Sequence, residues 1–349
     1  MVRLLAFNIE YGAQAYPLER AVAVVREARA DVAAIAEAVT DGGVDTAARL
    51  AAALGWHHLA FPANSSAVIS RWPLRAAGAA ALVSPGGGAP EFYVVSAHFD
   101  DYPYQPFQAE GTPYCYDACQ RDLRAAPPVA LARAAEKARG EQVAAVAALA
   151  RRLAAKAPVV VLGDFNEPSH LDWTPRAVQS GLVPRAVEFP ASRRLYAAGL
   201  VDAYRAAHPD EVAAPGHTWP ARDPGYPGRA DRIDFVYVRA GDRVLACEPL
   251  ARSPSDHRAV VAEVEFGRSG GGGRRSRRGS PGFVGGALGS PLLAAVLLAA
   301  LVLLVVLVAV AVARAGSVGK TGISRLRASA DPGRSAGFRP ATLCAALYS

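Results

Sequence analysis

The sequence predicts one α/β domain over residues 1–267, followed by a basic linker and a membrane-spanning helix. Three observations carry this. Short apolar runs are interspersed with amphipathic or alanine-rich stretches, with no internal repeat. A chain that is 52% hydrophobic and 20% charged can build a core and does not read as disordered. After Phe266 the composition changes abruptly.

In chain order, residues 2–9 read as a buried strand. The opening MVRLLAFNIEYG is not read as a signal peptide: its apolar run is too short and no small-residue cleavage site follows. LERAVAVVREARADVAAIAEAV (18–39) starts as an amphipathic helix and passes through Asp31 into a strand, despite its alanines. SSAVISRWPL (65–74) predicts a strand ending in a turn at Pro73, and EFYVVSAHFD (91–100) a β-rich run ending in His and Asp. Residues 101–131, rich in Pro and Tyr and without a period, predict a long loop or insertion. ARGEQVAAVAALARRLAAKA (138–157) has helical composition and feeds the strand VVVLGDFN. RADRIDFVYVRA (229–240), RVLACEPL and SDHRAVVAEVEF (255–266) supply the last strands.

Residues 268–287 predict a flexible Gly/Arg-rich linker. Leu288 to Ala313 contains no charged residue. About 20 apolar residues cross a bilayer core of ~30 Å, so this segment predicts a single membrane span. A buried core helix would need a second core, and the flanking Gly and Arg runs offer none. Residues 314–349 read as a disordered tail. The Arg275–Arg278 cluster before the span places the α/β domain in the cytosol by the positive-inside rule, although Arg314, Lys320, Arg325 and Arg327 nearly balance it.

The net charge of +7 belongs to that tail. Residues 1–267 hold 27 Lys/Arg and 30 Asp/Glu, a net of −3, and residues 268–349 hold 11 Lys/Arg and one acid, a net of +10. The basic pI therefore belongs to the tail and says nothing about the ligand of the main domain. The four cysteines show no disulfide framework. Cys115 and Cys119 have helical spacing but no matching His/Cys pair for zinc, and read as reduced thiols.

Polar residues stand where the strands stop: Asn8 and Glu10, Glu37, His98 and Asp100, Asp164 and Asn166, Asp234, and Asp256 with His257. Singly, each reads as a turn or cap residue. Together, at one edge of a packed sheet, they converge on a pocket suited to metal-assisted hydrolysis, because carboxylate and amide oxygens bind hard cations such as Mg²⁺. No G-x-S-x-G elbow supports a serine hydrolase, and the glycine runs lack the P-loop pattern. In VVVLGDFN, Gly163 is expected to let the backbone approach the site. Asp164 and Asn166, two apart, are expected to share a sheet face, with Phe165 pointing into packing.

The ordered set FNIEYG, IAEA, ISRWPL, SAHFD, GDFNEP, DRIDFVYV and SDHRAVVAE resembles the endonuclease/exonuclease/phosphatase superfamily over residues 1–266. The resemblance implies a four-layer α/β sandwich of two packed, mostly antiparallel β-sheets flanked by helices. It implies a Mg²⁺-dependent phosphoesterase, with Mn²⁺ as a substitute. By the same resemblance Glu37 is the main metal ligand, with Asn8 and Glu10 at the metal and phosphate and Asp256 supporting the metal. Asp164 orients or deprotonates the attacking water, and Asn166 holds the phosphate or that water. His257 contacts the scissile phosphate with Asp234 orienting it, and His98 stabilises the phosphorane oxygens. Ala36 departs from the family, which commonly has an amide before the metal ligand.

The substrate stays open at this point: a lipid headgroup, a nucleic acid or a small phosphate. The predicted span raises the lipid reading through local concentration, and the acidic domain weakens a processive nucleic-acid reading. No obligate protein partner is evident. The alternative is a non-catalytic, membrane-anchored binding module on the same fold, which the complete residue set argues against. The Tyr and Phe residues of the insertion suit stacking on a base or packing a loop, and packing is favoured.

Overall fold

The structure is a computed structural model, and it describes residues 1–40, 42–113, 121–221 and 228–267. Twelve strands form two six-stranded sheets. The first sheet contains β1 (Val2–Asn8), β2 (Val32–Ala36), β3 (His57–Phe61), β4 (Ser66–Ser70), β11 (Arg243–Pro249) and β12 (Val260–Glu265), in the order β11-β12-β1-β2-β4-β3. The second contains β5 (Leu74–Ala76), β6 (Ala81–Val83), β7 (Phe92–His98), β8 (Val159–Asp164), β9 (Leu200–Asp202) and β10 (Asp234–Arg239), in the order β5-β6-β7-β8-β10-β9. Each sheet has a single parallel pair at its centre, β1 with β2 and β7 with β8, flanked by antiparallel neighbours. The two sheets thus repeat one connectivity that the sequence does not announce.

Side-chain alternation makes this a sandwich. Leu4, Ala6, Val32, Ala34 and Val68 from the first sheet meet Val94, Val160, Leu162, Val236 and Val238 from the second. On the outer face of the first sheet, Leu5, Phe7, Ala33, Ile35 and Ile69 pack against Val22 and Val25 of α2 (Leu18–Glu27) and Leu50 of α3 (Thr46–Leu54). On the outer face of the second, Val95, Val161, Phe235 and Tyr237 pack against Val143, Ala147 and Leu153 of α5 (Pro128–Ala154) and Leu195 of α7 (Pro190–Ala197). The central strands are covered on both faces, which is why they read as continuous apolar runs.

Two expectations need correction. Residues 101–131 are not one structureless loop. They include α4 (Gln105–Glu110), and α5 begins at Pro128, ten residues ahead of the predicted start at 138. Proline suits a first helical turn, where its missing N–H would be unpaired anyway. Tyr104 and Phe107 of this insertion pack edge-to-face with each other and against Trp219 and Ile233, as packing residues should. The strand read over 229–240 is confined to Asp234–Arg239.

No helix among the described residues is long and apolar enough to cross a membrane. The predicted linker, span and tail over 268–349 lie outside the described residues, as do Cys115, Cys119 and Cys344. Cys247 is a buried free thiol.

Candidate active site

The C-terminal ends of β1, β2, β7 and β8 meet at one pole of the sandwich. Asn8 pairs with Ala36 in the β1–β2 register, and His98 pairs with Asp164 in the β7–β8 register. β10 runs antiparallel to β8, so its first residue, Asp234, stands opposite Asp164. The two sheets are stitched together here: Asn8 Nδ2 donates to Glu37 Oε1 at 2.9 Å and to Asp164 Oδ2 at 3.0 Å.

One hydrogen-bond chain passes through the four residues expected at the metal. Asn8 Oδ1 accepts from Glu10 N at 2.9 Å, and Glu10 Oε2 accepts from Asp256 N at 3.1 Å. Glu37 Oε2 accepts from Tyr11 N at 2.5 Å. These partners fix the Asn8 amide with its NH₂ toward two carboxylates, because a flip would set its oxygen against them. In this arrangement the Asn8 amide nitrogen holds Glu37 and Asp164 in place.

Left-handed backbone concentrates in the same loops. Glu10, Tyr11, Ala13, Glu37 and Asn166 all have positive φ. Such strain costs about 1–3 kcal/mol per residue and persists only where the surroundings over-determine it. Gly12, at φ +66°, gives its N–H to Glu37 O at 2.8 Å, and a Cβ there would lie 2.7 Å from Thr40 N. Only glycine lets this loop close on Glu37.

His257 is buried between two carboxylates. Its Nδ1 lies 2.9 Å from Asp234 Oδ2, and its Nε2 lies 3.8 Å from Asp164 Oδ2. Burial alone would lower its pKa. Asp234 and Asp164, then Asp256, outweigh burial and hold the imidazole well above the usual histidine value, so it carries a charge. Burial raises the Asp164 carboxyl; the charge on His257 pulls it back, Asp234 pushes it up again, and the balance stays raised. Among the described residues Asp234 Oδ1 is buried without a hydrogen-bond partner, while the Asp234 N–H is held by Thr218 Oγ1 at 3.1 Å.

One local expectation around GDFN needs correction, that for Asn166; Gly163 packs against β7. At φ +139° a Cβ there would lie 2.0 Å from Ala97 O, so the glycine is needed for the close approach of β7. Asn166 does not share a strand face with Asp164, because β8 ends at Asp164 and Asn166 turns left-handed at φ 47°. Its N–H returns to Asp164 Oδ1 at 2.9 Å, and its Nδ2 donates to Phe99 O at 2.9 Å. The two residues are neighbours through a side-chain turn.

His98 stands at the end of β7 with Nδ1 3.0 Å from Asn64 O. Asp256 Oδ2 accepts from Trp219 Nε1 at 3.2 Å. Sequence reasoning did not single out Asn64, Thr218 or Trp219, and only their fold contacts identify them. The same holds for Asp231, whose carboxylate accepts from Tyr104 Oη at 2.9 Å and Trp173 Nε1 at 3.1 Å. Burial pushes Asp231 up to about 7, more than these two bonds lower it.

The native state therefore binds a proton at Asp231 that the unfolded chain releases at the ordinary aspartate value of about 3.9. The stability this proton contributes is fully present below that value and is lost as pH rises through about 7. Asp231→Asn keeps the shape and cannot ionise. It is expected to flatten this slope and to gain up to about 4 kcal/mol on the wild type in alkaline buffer. Urea melts across pH check it, and parallel pH curves for the two chains would refute it.

The model of the Endonuclease/Exonuclease/phosphatase family matches residues 5–257. The chain belongs to this family. The matched span runs from β1 to His257 and so contains every residue described at the pole. Among solved structures, a family protein of Beutenbergia cavernae is similar at 19% identity and TM-score 0.50, covering 76% of this chain and 72% of that one. A 3′ phosphatase of Neisseria, solved with a product DNA hairpin, is similar at 17% identity and TM-score 0.49, covering 76% of this chain and all of that one. An uncharacterized Caenorhabditis elegans protein is 33% identical over 132 residues, which are 31% of this chain and 41% of that protein. Members of this family are metal-dependent hydrolases of phosphoric ester bonds.

In this family member two groups compete as cation sites. Asp164, Asp234 and His257 offer ligand atoms within 4.8 Å of one another. In that cluster the same two carboxylates already face the His257 imidazole and hold it above its usual value. Glu37, Glu10 and Asp256 bring carboxylate oxygens and no sulfur to adjoining loops. This donor set fits a hard divalent ion.

Proposed function

We propose that this chain is a Mg²⁺-dependent phosphoesterase that cleaves its ester by in-line attack of water. The observation that carries the reading is the buried Asp234–His257–Asp164 row, joined through Asn8 to Glu37. A Mg²⁺ ion held by Glu37, with Glu10 and Asp256 beside it, would supply charge neutralisation at the phosphate oxygens. Asp164, with its raised pKa, accepts the proton of the attacking water. His257 supplies a fixed positive charge for the phosphoryl oxygens, held in place by Asp234. Asn166 and His98 flank Asp164 and contact the substrate. A binding module that had lost catalysis would have no reason to keep a buried imidazolium between two acids.

Metal removal tests this reading. The full chain should release phosphate or an alcohol from a panel of mono- and diesters with Mg²⁺ or Mn²⁺ and stop in EDTA. Activity that survives complete chelation would overturn it.

The membrane span belongs to the same proposal. Residues 288–313 would cross the bilayer as one helix and hold the domain at its cytosolic face. Protease added to sealed, right-side-out vesicles should spare the domain and clip a C-terminal tag; digestion of the domain would reverse the orientation.

A further inference from the structure

The turn between β3 and β4 touches both halves of the site. It consists of Pro62–Asn64 in a 3₁₀ turn followed by Ser65 at φ 49°. Asn64 O lies 3.0 Å from His98 Nδ1. One residue on, Ser65 O accepts from Ala38 N at 2.8 Å, directly after Glu37. A left-handed serine is what lets two successive carbonyls serve different sheets, and such a conformation persists only where contacts enforce it.

The contacts are present. Asn64 Nδ2 donates to Ser96 O at 3.1 Å, two residues before His98 on the same strand. Asn64 Oδ1 accepts from Ser66 Oγ at 2.9 Å. The asparagine is therefore tied to β7 through its side chain and to His98 through its main chain. A carbonyl oxygen only accepts, so His98 Nδ1 must carry the hydrogen, and in the neutral ring Nε2 keeps a lone pair. His98 stands opposite Asp164 in the register, so the tautomer decides what the ring offers beside the attacking water.

We propose that Asn64 is a positioning residue: the β3–β4 turn locks His98 in its Nδ1–H tautomer and sets it at a fixed place relative to Glu37. This rests on the phosphoesterase reading for its consequence in rate, but not for the tautomer itself. A turn that merely staples the sheets would leave ring chemistry and turnover independent of Asn64.

The test is long-range ¹⁵N–¹H correlation NMR on the full chain labelled at histidine, with His98 assigned by its loss in His98→Gln. The wild type should show the Nδ1–H tautomer. Asn64→Ala should give a mixture of tautomers and lower kcat about tenfold with KM nearly unchanged, as misplacement of a reacting group does. Ser66→Ala removes only the donor to Asn64 Oδ1 and should move both readouts less, in the same direction; it decides the matter if Asn64→Ala does not fold. An Nε2–H tautomer in the wild type overturns the proposal. So does a folded variant whose tautomer or kcat stays at the wild-type value. If the chain cleaves no phosphoester at all, the functional reading fails while the tautomer still decides the Asn64–His98 link.

Discussion

A His257→Ala chain is expected to turn over phosphate esters at least about 100-fold more slowly than the wild type, with its fold intact. The imidazolium contributes in two ways. In the proposed mechanism it is the positive side chain that meets the phosphoryl oxygens. It also stands between Asp164 and Asp234, which face each other across the β8–β10 register. Without it, two buried carboxylates repel, and Asp164, already raised by burial, loses the group that draws it down. A protonated Asp164 cannot take a proton from water. The residual activity of the variant should therefore need a higher pH, seen as an upward shift of the acidic limb of the pH–rate profile. Asp164→Asn should cost a similar factor, and the double variant little more than either single, because groups acting as a unit are not additive. Near-normal rates in both singles would mean that the site lies elsewhere.

Why was so much of this pole legible in sequence? The central strands are buried on both faces, so each is an apolar run, and a run that stops on Asn8, Glu37, His98 or Asp164 marks the sheet edge by itself. Chain order then gave the constellation. β3, β5 and β6 escaped because they are short or half-exposed: HHLAF has neither the alternation nor the apolarity of a core strand. The residues that hold the site were illegible for a different reason. Asn64 lies in a turn and Thr218 and Trp219 outside the named strands, and their value comes from partners such as Asp234, Asp256 and His98, far away in the chain or on another strand. Glu10 and Asn166 were found as residue types, but their left-handed backbone, which sets their direction, has no sequence mark in a non-glycine.

Arg139→Met is expected to destabilise the chain by about 3–5 kcal/mol, the usual cost of leaving one member of a buried ion pair alone. Arg139 is fully buried in α5, and its Nε meets Glu167 Oε2 at 3.2 Å with neither side chain exposed. The same guanidinium donates to Asp100 O at 2.9 Å, to Pro103 O at 3.3 Å and to Gln105 Oε1. Glu167 in turn accepts from Ala191 N at 2.8 Å. One side chain thus gathers the segment after His98 and the segment after Asn166, both of which leave the active pole. Burial raises the Glu167 carboxyl, and Arg139 holds it down; with methionine in place it moves further up and takes a proton more readily. A folded pKa raised above the unfolded one means stability that is present in acid and lost as pH rises through the folded value. The variant should therefore sit closer to the wild type in mildly acidic buffer than in alkaline buffer. Arg139→Met with Glu167→Gln removes the orphaned charge and should recover part of the loss in melts. Turnover should stay low, because the carbonyls of Asp100 and Pro103 have still lost their donor and the segments that follow His98 and Asn166 are no longer drawn to one point. A single variant as stable as the wild type at every pH would show that the pair contributes nothing, and full recovery of turnover in the double would show that Glu167's charge, not loop position, was the cause.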